Sequence, residues 1–183
     1  MDNCKRGDLV RLSLLRPLYW IGFEWDQDIY MDTDIMAIIL SSKGQVIDEG
    51  DIVFYNNPQS SNEAFCISND DSRSNWEFIV DFSRLPPQAQ RIVFVHTIYD
   101  AGVRRQTVSQ IKNCVVTVKQ KVDEIDFEGE KEAIYSQVGE NPPQELLIIC
   151  ELRKISGSWF FVPLSNGFDG DLESLCSHYG MTF

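Results

Sequence analysis

The sequence is poor in the side chains on which many enzymes and metal centres depend. It contains two histidines, and its five cysteines are scattered without a C-x-x-C pair. This argues against a zinc knuckle and against a thioredoxin-type redox centre. Neither G-x-S-x-G nor H-E-x-x-H occurs, so the usual motifs of serine hydrolases and zinc proteases are missing as well.

Long apolar runs are also absent. The longest, at 35–40 and 146–150, fall far short of the roughly 20 residues that cross a bilayer. No apolar segment follows the basic pair Lys5-Arg6, as a secretory signal would require. We therefore expect a soluble, cytoplasmic protein with no membrane insertion.

Positive charge is scarce. Lys and Arg number 16 against 28 Asp and Glu, which gives a net charge of −12. Such a balance argues against a nucleic-acid binder, which needs a basic face, and leaves cations and other proteins as candidate partners. The chain of 183 residues is 43% hydrophobic, which is enough for one domain, 1–183, with a packed core.

Short segments rich in Val, Ile and Phe dominate what is present, and turn residues separate them. They predict nine strands and a mainly β fold, a β-sandwich of two packed sheets. Lys43-Gly44 and Ser156-Gly157 are typical of hairpin turns. The predicted strands are Leu9–Leu14, Tyr19–Trp25, Ile35–Leu40, Ile52–Tyr55, Glu77–Phe82, Arg91–Ile98, Cys114–Lys119, Leu146–Lys154 and Ser158–Pro163.

Two segments have the apolar spacing of short helices. Arg104 to Asn113 places Val108 and Ile111 on one side, and Asp169 to His178 begins with acidic residues and ends before Gly180. These features are typical of helix faces and helix ends.

Charge is distributed in blocks. The segment from Lys121 to Glu145 is strongly acidic and is expected to be solvated loop. Between Phe82 and Lys121 the balance is basic, and these bases with Tyr99 are either scattered surface charges or a docking face for an acidic partner. Five acids and no base lie from Glu24 to Asp34.

The sharpest local signal for a site is a pair of oxygen-rich segments. Asp32-Thr33-Asp34 places two carboxylates on one side of an extended chain, and Ser68–Ser72 forms a second predicted loop that contains Asp70 and Asp71. Calcium needs six to eight oxygen ligands, which no single pair supplies. If the loops meet, Asp32, Asp34, Asp70 and Asp71 could share one ion; otherwise they are solvated acidic loops.

Catalysis has weak support. His96 lies in a predicted strand and Asp100 follows four residues later. Residues four apart in a strand share a face but lie some 13 Å apart, which disfavours a direct acid–base pair for a hydrolase. Cys114 and Cys150 lie inside apolar segments, where buried, unreactive thiols are expected.

Several segments, in order along the chain, resemble the TerD family of tellurite-resistance and stress-response proteins. The resemblance begins at Lys5–Leu12, which is similar to the family's K-G-x-x-V-x-L, and covers nearly the whole chain. The other matching segments are Ile21–Asp26 (V-G-L-G-W-D), Asp51–Asn57 (D-F-x-F-Y-N-Q), Asp81–Pro86 (D-L-S-x-[LV]-P), Arg91–Val95 (K-I-V-F-V), Ser109–Asn113 (G-Q-V-R-N) and Gly167–Leu172 (G-Y-x-G-G-L).

The resemblance implies a β-sandwich that binds calcium without catalytic chemistry and takes part in the response to chemical stress. It also implies calcium ligands from two acidic loops. Here the family's D-x-D-L-D keeps only Asp32 and Asp34, and the second loop is shortened to Asn69–Asn75 with an added Arg73. Fewer carboxylates lower calcium affinity. Two functions follow as hypotheses: a stress-response binding module with a weakened calcium site, or a calcium-independent domain that binds protein partners.

Overall fold

A computed structural model describes residues 3–26, 31–72, 75–121, 131–137 and 142–181, and for 69–72 it describes the backbone alone. The described residues form two antiparallel sheets, a six-stranded one in the order β1-β11-β10-β7-β3-β4 and a five-stranded one in the order β5-β6-β2-β8-β9. The strands are β1 (Val10–Arg11), β2 (Leu18–Asp26), β3 (Thr33–Ser41), β4 (Ile52–Val53), β5 (Phe65–Ser72), β6 (Asn75–Asp81), β7 (Ala89–Ile98), β8 (Lys112–Gln120), β9 (Lys131–Ser136), β10 (Leu146–Ile155) and β11 (Ser158–Phe168).

The main core lies between the two sheets, which confirms the predicted β-sandwich. Side chains alternate along each strand, so every second residue points inward. Phe23 of β2 reaches Phe94 of β7 with ring centroids 5.1 Å apart, and Phe65 of β5 lies 5.8 Å from the same ring. These contacts join strands of different sheets, so the fold is two layers packed face to face.

The outer face of the six-stranded sheet carries a second apolar cluster. Ile38 of β3 and Val93 of β7 point outward and are fully buried. Helix α2 (Leu172–His178) covers them with Leu175 and, just beyond its end, Tyr179. This explains why β3 and β7 are almost continuously apolar, since both of their faces are buried.

Each predicted strand overlaps an observed one, but two strands were missed. β5 includes Ser68–Ser72, which was predicted as a loop, and β9 lies inside the acidic segment predicted as solvated loop. β9 buries Ala133 and Tyr135. Its Glu132 accepts hydrogen bonds from the hydroxyls of Ser13 and Tyr19, the latter at 2.9 Å. These partners lie more than a hundred residues away, which a local pattern cannot reveal.

The predicted helix from Arg104 to Asn113 is wrong. Helix α1 (Ala101–Arg104) ends at Arg105, whose φ of 52° is left-handed. A 3₁₀ turn at Val108–Gln110 and then β8 follow, and this turn places Val108 and Ile111 in the core. The apolar spacing was real, but it belongs to a turn. The second predicted helix is confirmed as α2, capped by Asp171, whose side chain accepts from the Ser174 amide.

Both predicted hairpin turns are confirmed. Ser156 (φ 49°) and Gly157 (φ 81°) join β10 to β11, the pair of positive φ values typical of a two-residue hairpin. Gly44 (φ 71°) lies in the turn that brings Leu40 opposite Val46.

Gly22 has a packing role on the outer face of the five-stranded sheet. The Trp20 ring lies over it, and a β-carbon at Gly22 would collide with the indole. Trp20 donates through Nε1 to Glu77 at 3.1 Å, and the Lys119 amine sits 4.7 Å from the ring centroid. The glycine therefore allows a tryptophan to lie flat against the sheet.

Candidate functional site

The candidate calcium residues lie at one end of the sandwich. β2 finishes there at Asp26, and Thr33 at the start of β3 pairs with Ile98 at the end of β7. Asp32 and Asp34 flank Thr33, so they lie at the same end. We call this end, where β2 and β7 finish and β3 begins, the β2–β3 end.

Asp70 and Asp71 reach the same end from the other sheet. They occupy the last positions of β5, between Asn69, which pairs with Glu77, and Ser72, which pairs with Asn75. Asn75 in turn pairs with Glu24 near the end of β2. The backbone therefore brings both acidic segments to the β2–β3 end, while the side chains of Asp70 and Asp71 lie outside the described ones.

The two aspartates of β3 face away from the space between the sheets. Thr33 and Ile35 are buried inward, whereas Asp34 is half-buried and Asp32 is exposed. By alternation, Asp32 and Asp34 share the outward side of the six-stranded sheet. The Asp32 carbonyl accepts from the Tyr99 amide at 2.9 Å, which holds this segment against the end of β7.

The described residues supply only part of a calcium coordination sphere. Among them, no three His, Cys, Asp or Glu side chains lie close enough together to hold a metal ion. The neighbouring Asp26 carboxylate accepts from the Asn113 amide at 2.6 Å. Because calcium needs six to eight oxygens, Asp32 and Asp34 need further ligands from outside the described side chains or from water.

The structure separates the two residues considered for acid–base catalysis. His96 points into the core with none of its surface exposed, and its ring lies 4.5 Å from that of Trp25. Within the part of the chain that the structure describes, neither ring nitrogen has a hydrogen-bond partner, so His96 and Asp100 do not pair. Burial lowers the pKa of His96 to about 3, which leaves a neutral ring without access to solvent. Asp100 is exposed at the start of α1.

The cysteines are free thiols, and two of them are fully enclosed. Cys114 and Cys150 are buried as predicted. Burial raises the pKa of Cys114 to about 12, and burial together with the neighbouring Cys114 raises the pKa of Cys150. Although they are distant in sequence, the two thiols thus lie near each other in the core. Both are held protonated, which is the unreactive form.

The basic residues of the middle segment do not form one face. Arg91 binds the buried Glu151 at 2.6 Å on the outer side of the six-stranded sheet, and Lys119 stacks on Trp20 on the other sheet. Arg84 pairs with Glu63 at 2.8 Å. Only Arg104 lies with Tyr99, its guanidinium 5.4 Å from the ring centroid. The interpretation as scattered charges therefore describes most of this segment.

A cleft that was not predicted from the sequence lies at the side of the sandwich. Its cavity volume is about 920 Å³. The N-terminal segment Asn3–Arg6, the end of β9, and residues 165–167 of β11 form its walls. These segments lie far apart in the sequence, so no local motif could have indicated the cleft.

Among the described residues, no helix is long and apolar enough to cross a membrane. This agrees with the absence of long apolar runs in the sequence.

Comparisons with known proteins agree with the fold. The chain is 27% identical to tellurium resistance protein TerD of Serratia marcescens, with 98% of this chain and 97% of that protein covered. It is 28% identical to general stress protein 16U of Bacillus subtilis, over 96% and 95% of the two chains. The fold matches that of a crystallised homologue of telluride resistance protein (TerD) from Streptomyces coelicolor A3(2), with a TM-score of 0.62, 16% identity, and 87% and 95% of the two chains covered.

The match to the family itself covers almost the whole chain. The model of the TerD domain matches residues 5–179, a range that includes all eleven strands of the described residues and α2. The order of motifs from Lys5 to Leu172 and the two-sheet fold agree with this match. The chain therefore belongs to the TerD domain family, whose relatives include proteins named for tellurium resistance and general stress.

Proposed function

We propose that this chain is a non-catalytic binding module of the response to chemical stress and that its β2–β3 end binds calcium weakly. The observation that carries the proposal is the convergence there of Asp32 and Asp34 with the final residues of β5, which include Asp70 and Asp71. Two carboxylates from each sheet would give a calcium ion part of the oxygen-rich environment that it needs.

The donor set favours a weak site. Calcium affinity falls as the number of ligand carboxylates decreases, and each of the two acidic segments supplies only two. Asp32 and Asp34 also lie toward the outer side of their sheet. An ion bound there would hold the start of β3 to the neighbouring hairpin of β5 and β6, and water would complete its coordination.

Calorimetric titration tests the proposal. Chelator-stripped protein should bind one Ca²⁺ with a dissociation constant of about 10⁻⁴–10⁻³ M, the range of weak extracellular modules. The double substitution Asp32→Asn/Asp34→Asn should remove the binding heat, because it removes half of the proposed carboxylates. Glu49→Gln is the matched control: it removes an exposed acid of the turn Glu49–Asp51 and should leave the binding unchanged. Absence of heat at millimolar Ca²⁺, or equal heat in the double variant, contradicts the proposal.

A calcium-independent domain that binds protein partners is the second candidate. It is favoured by an exposed patch beside the β2–β3 end, where Val103 is 85% and Tyr99 is 56% exposed. Arg104 stacks on the Tyr99 ring. Exposed aromatic and arginine side chains are enriched in protein interfaces.

Capture of partners from cell extract with and without chelator separates the two candidates. A partner retained in chelator and lost with Val103→Asp supports the second candidate. The calcium-dependent module is supported if chelator releases the partner and if, without chelator, Val103→Asp captures the partner as strongly as the wild type does.

A further inference from the structure

The cleft at the side of the sandwich is built where the two sheets fail to meet. Cys4 pairs with Tyr135 of β9, its amide donating to the Ile134 carbonyl at 2.9 Å. Three residues later, the Gly7 amide donates to the Pro163 carbonyl of β11 at 2.8 Å. The N-terminal segment thus crosses from one sheet to the other and forms one wall of a cavity of about 920 Å³. This volume lies within the range of pockets that enclose small molecules, about 300–1,000 Å³.

The charge of the cleft is opposite to that of the molecule. The chain carries a net charge of −12, yet the described residues that line the cleft include Lys5 and Arg6 and, among those described residues, no Asp or Glu. Arg6 donates through Nη2 to the neutral Asn166 amide oxygen at 2.6 Å. Within the described residues, no acid forms an ion pair with Arg6 or Lys5; the nearby Asp8 carboxylate accepts from the Lys5 backbone amide at 2.7 Å. The two cations therefore make a local positive field in an acidic protein.

The inner wall of the cleft is polar and fixed. The hydroxyls of Tyr135 and Ser165 lie 2.7 Å apart and are buried. Ser165 has a left-handed φ of 49°, a conformation that costs energy for a residue with a side chain and that is frequent at ligand sites. Burial raises the pKa of Tyr135, whereas Ser165 and the nearby Arg6 charge act to lower it. The Arg6 side chain and the Tyr135–Ser165 hydroxyl pair thus line the same cleft.

The wall of the cleft opposite the N-terminal segment is closely packed. Gly167 of β11 packs so closely on Gln144 and Pro142 that any side chain there would collide with them. The Gln144 amide is itself held by the Asp169 carboxylate at 3.0 Å. The side chains of Gln144 and Pro142 therefore pack this wall closely against the β11 backbone.

We propose that this cleft binds a small organic acid, with the guanidinium of Arg6 and the amine of Lys5 holding its carboxylate or phosphate group. The Tyr135–Ser165 hydroxyl pair contacts the polar part of the ligand. Arginine binds carboxylate and phosphate oxygens through paired N–H donors, so the shared chemistry is an oxyanion group on a small molecule. The described residues that line the cleft include none of the four proposed calcium ligands, and the proposal does not depend on calcium.

Amide NMR titration of calcium-stripped protein, from which the chelator has been dialysed away, tests the proposal with two probes, citrate for a carboxylate source and inorganic phosphate for a phosphate source. Ionic strength is held constant with sodium chloride, because surface attraction alone is screened by salt. We expect saturable shifts of the amides of Lys5, Arg6, Asn166 and Gly167 with at least one probe. The probe that saturates first identifies the acidic group.

Matched variants make the result specific. Arg6→Gln should weaken binding about tenfold or more, since it removes the charged hydrogen-bond donor, and Ser165→Ala should weaken it less. Lys43→Gln removes an exposed cation from a distant hairpin turn and should change nothing. The proposal is overturned if the shifts stay linear with both probes, if they fall outside the cleft, or if Arg6→Gln and Lys43→Gln affect them equally. Because the protein and buffers are free of calcium throughout, this result is independent of the calcium titration.

Discussion

Single buried polar residues set the pH dependence of this protein, and the two clearest act in opposite directions. His96 is enclosed without a hydrogen-bond partner. Asp51 is 2% exposed, with one carboxylate oxygen unpartnered. Burial favours the neutral form of both groups. It therefore lowers the pKa of His96, whose neutral form is deprotonated, and raises the pKa of Asp51, whose neutral form is protonated.

Substitution of His96 by Phe should remove a cause of acid instability. Burial lowers the pKa of His96 to about 3 from 6.5, so the unfolded chain takes up a proton below pH 6.5 that the folded chain does not. The stabilising contribution of the neutral ring is present above pH 6.5 and is lost as the pH falls toward 3. Urea unfolding at pH 7.5 and pH 5 measures the effect. The wild type should lose roughly 2 kcal/mol more unfolding free energy than His96→Phe as the pH falls from 7.5 to 5, because one pKa unit corresponds to about 1.4 kcal/mol. Parallel loss of stability in both proteins would contradict this assignment.

Substitution of Asp51 by Asn should act in the opposite sense, over an overlapping pH range. Burial and, to a smaller extent, the charge of Asp48 raise the pKa of Asp51 to about 6 from 3.8. The stability that the protonated acid contributes is therefore present below pH 3.8 and is lost as the pH rises through 6. Asp51→Asn should match the wild type near pH 4 and exceed it at pH 7.5 by on the order of 1 kcal/mol.

The neighbouring Asp48 supplies the control for Asp51. Hydrogen bonds from the Gly50 amide and the Ser61 hydroxyl lower the pKa of Asp48, so its charged form is the favoured one. Asp48→Asn should therefore destabilise the protein at neutral pH. If both substitutions shift the unfolding midpoint in the same direction at pH 7.5, the assignment of opposite roles fails.

At the scale of elements, α2 is the cover of the six-stranded sheet. The outward side chains in the middle of β3 and β7 are apolar and would be open to water without it; they are Met36, Ile38, Leu40, Val93 and Val95. Helix α2 has only seven residues, too few to be stable alone. Its stability must come from the side chains that it buries on the sheet.

Truncation of Leu175 should loosen this cover. The side chain has no exposed surface, so Leu175→Ala leaves a cavity and should cost about 2–4 kcal/mol of unfolding free energy. Leu172, on the same helix but 44% exposed, gives the matched control: Leu172→Ala should cost less than about 1 kcal/mol. Denaturant unfolding measures both, and equal costs would mean that α2 is not packed as described.

At the scale of the whole molecule, the β-sandwich and nine of its strands were predictable from the sequence. Short segments rich in Val, Ile and Phe, separated by turn residues, are typical of strands. It missed β9 because the strand lies in an acidic segment and is anchored by Glu132 to Ser13 and Tyr19, more than a hundred residues away. It missed β5 because Asn69 and Asp70 are poor strand formers that pair with β6 through an irregular register. Tertiary pairing overrode local preference in both.

The candidate site was predictable only in part, for the same reason. Sequence spacing placed Asp32 and Asp34 on one side of a strand, and the strand order brings Asp70 and Asp71 to the same end. It could not tell that His96 points inward against Trp25, since alternation alone does not say which face of a strand is buried. Nor could it assemble the cleft of Arg6, Tyr135 and Ser165, because three distant segments meet only in the folded chain.

The central claim, that the β2–β3 end binds calcium, is tested most directly by amide NMR spectra recorded with and without Ca²⁺. We expect saturable shifts confined to the start of β3 around Asp32 and Asp34 and to the end of β5 around Asp70 and Asp71. Asp32→Asn/Asp34→Asn should abolish these shifts. Spectra that do not change at millimolar Ca²⁺, or changes centred elsewhere in the molecule, would contradict the claim.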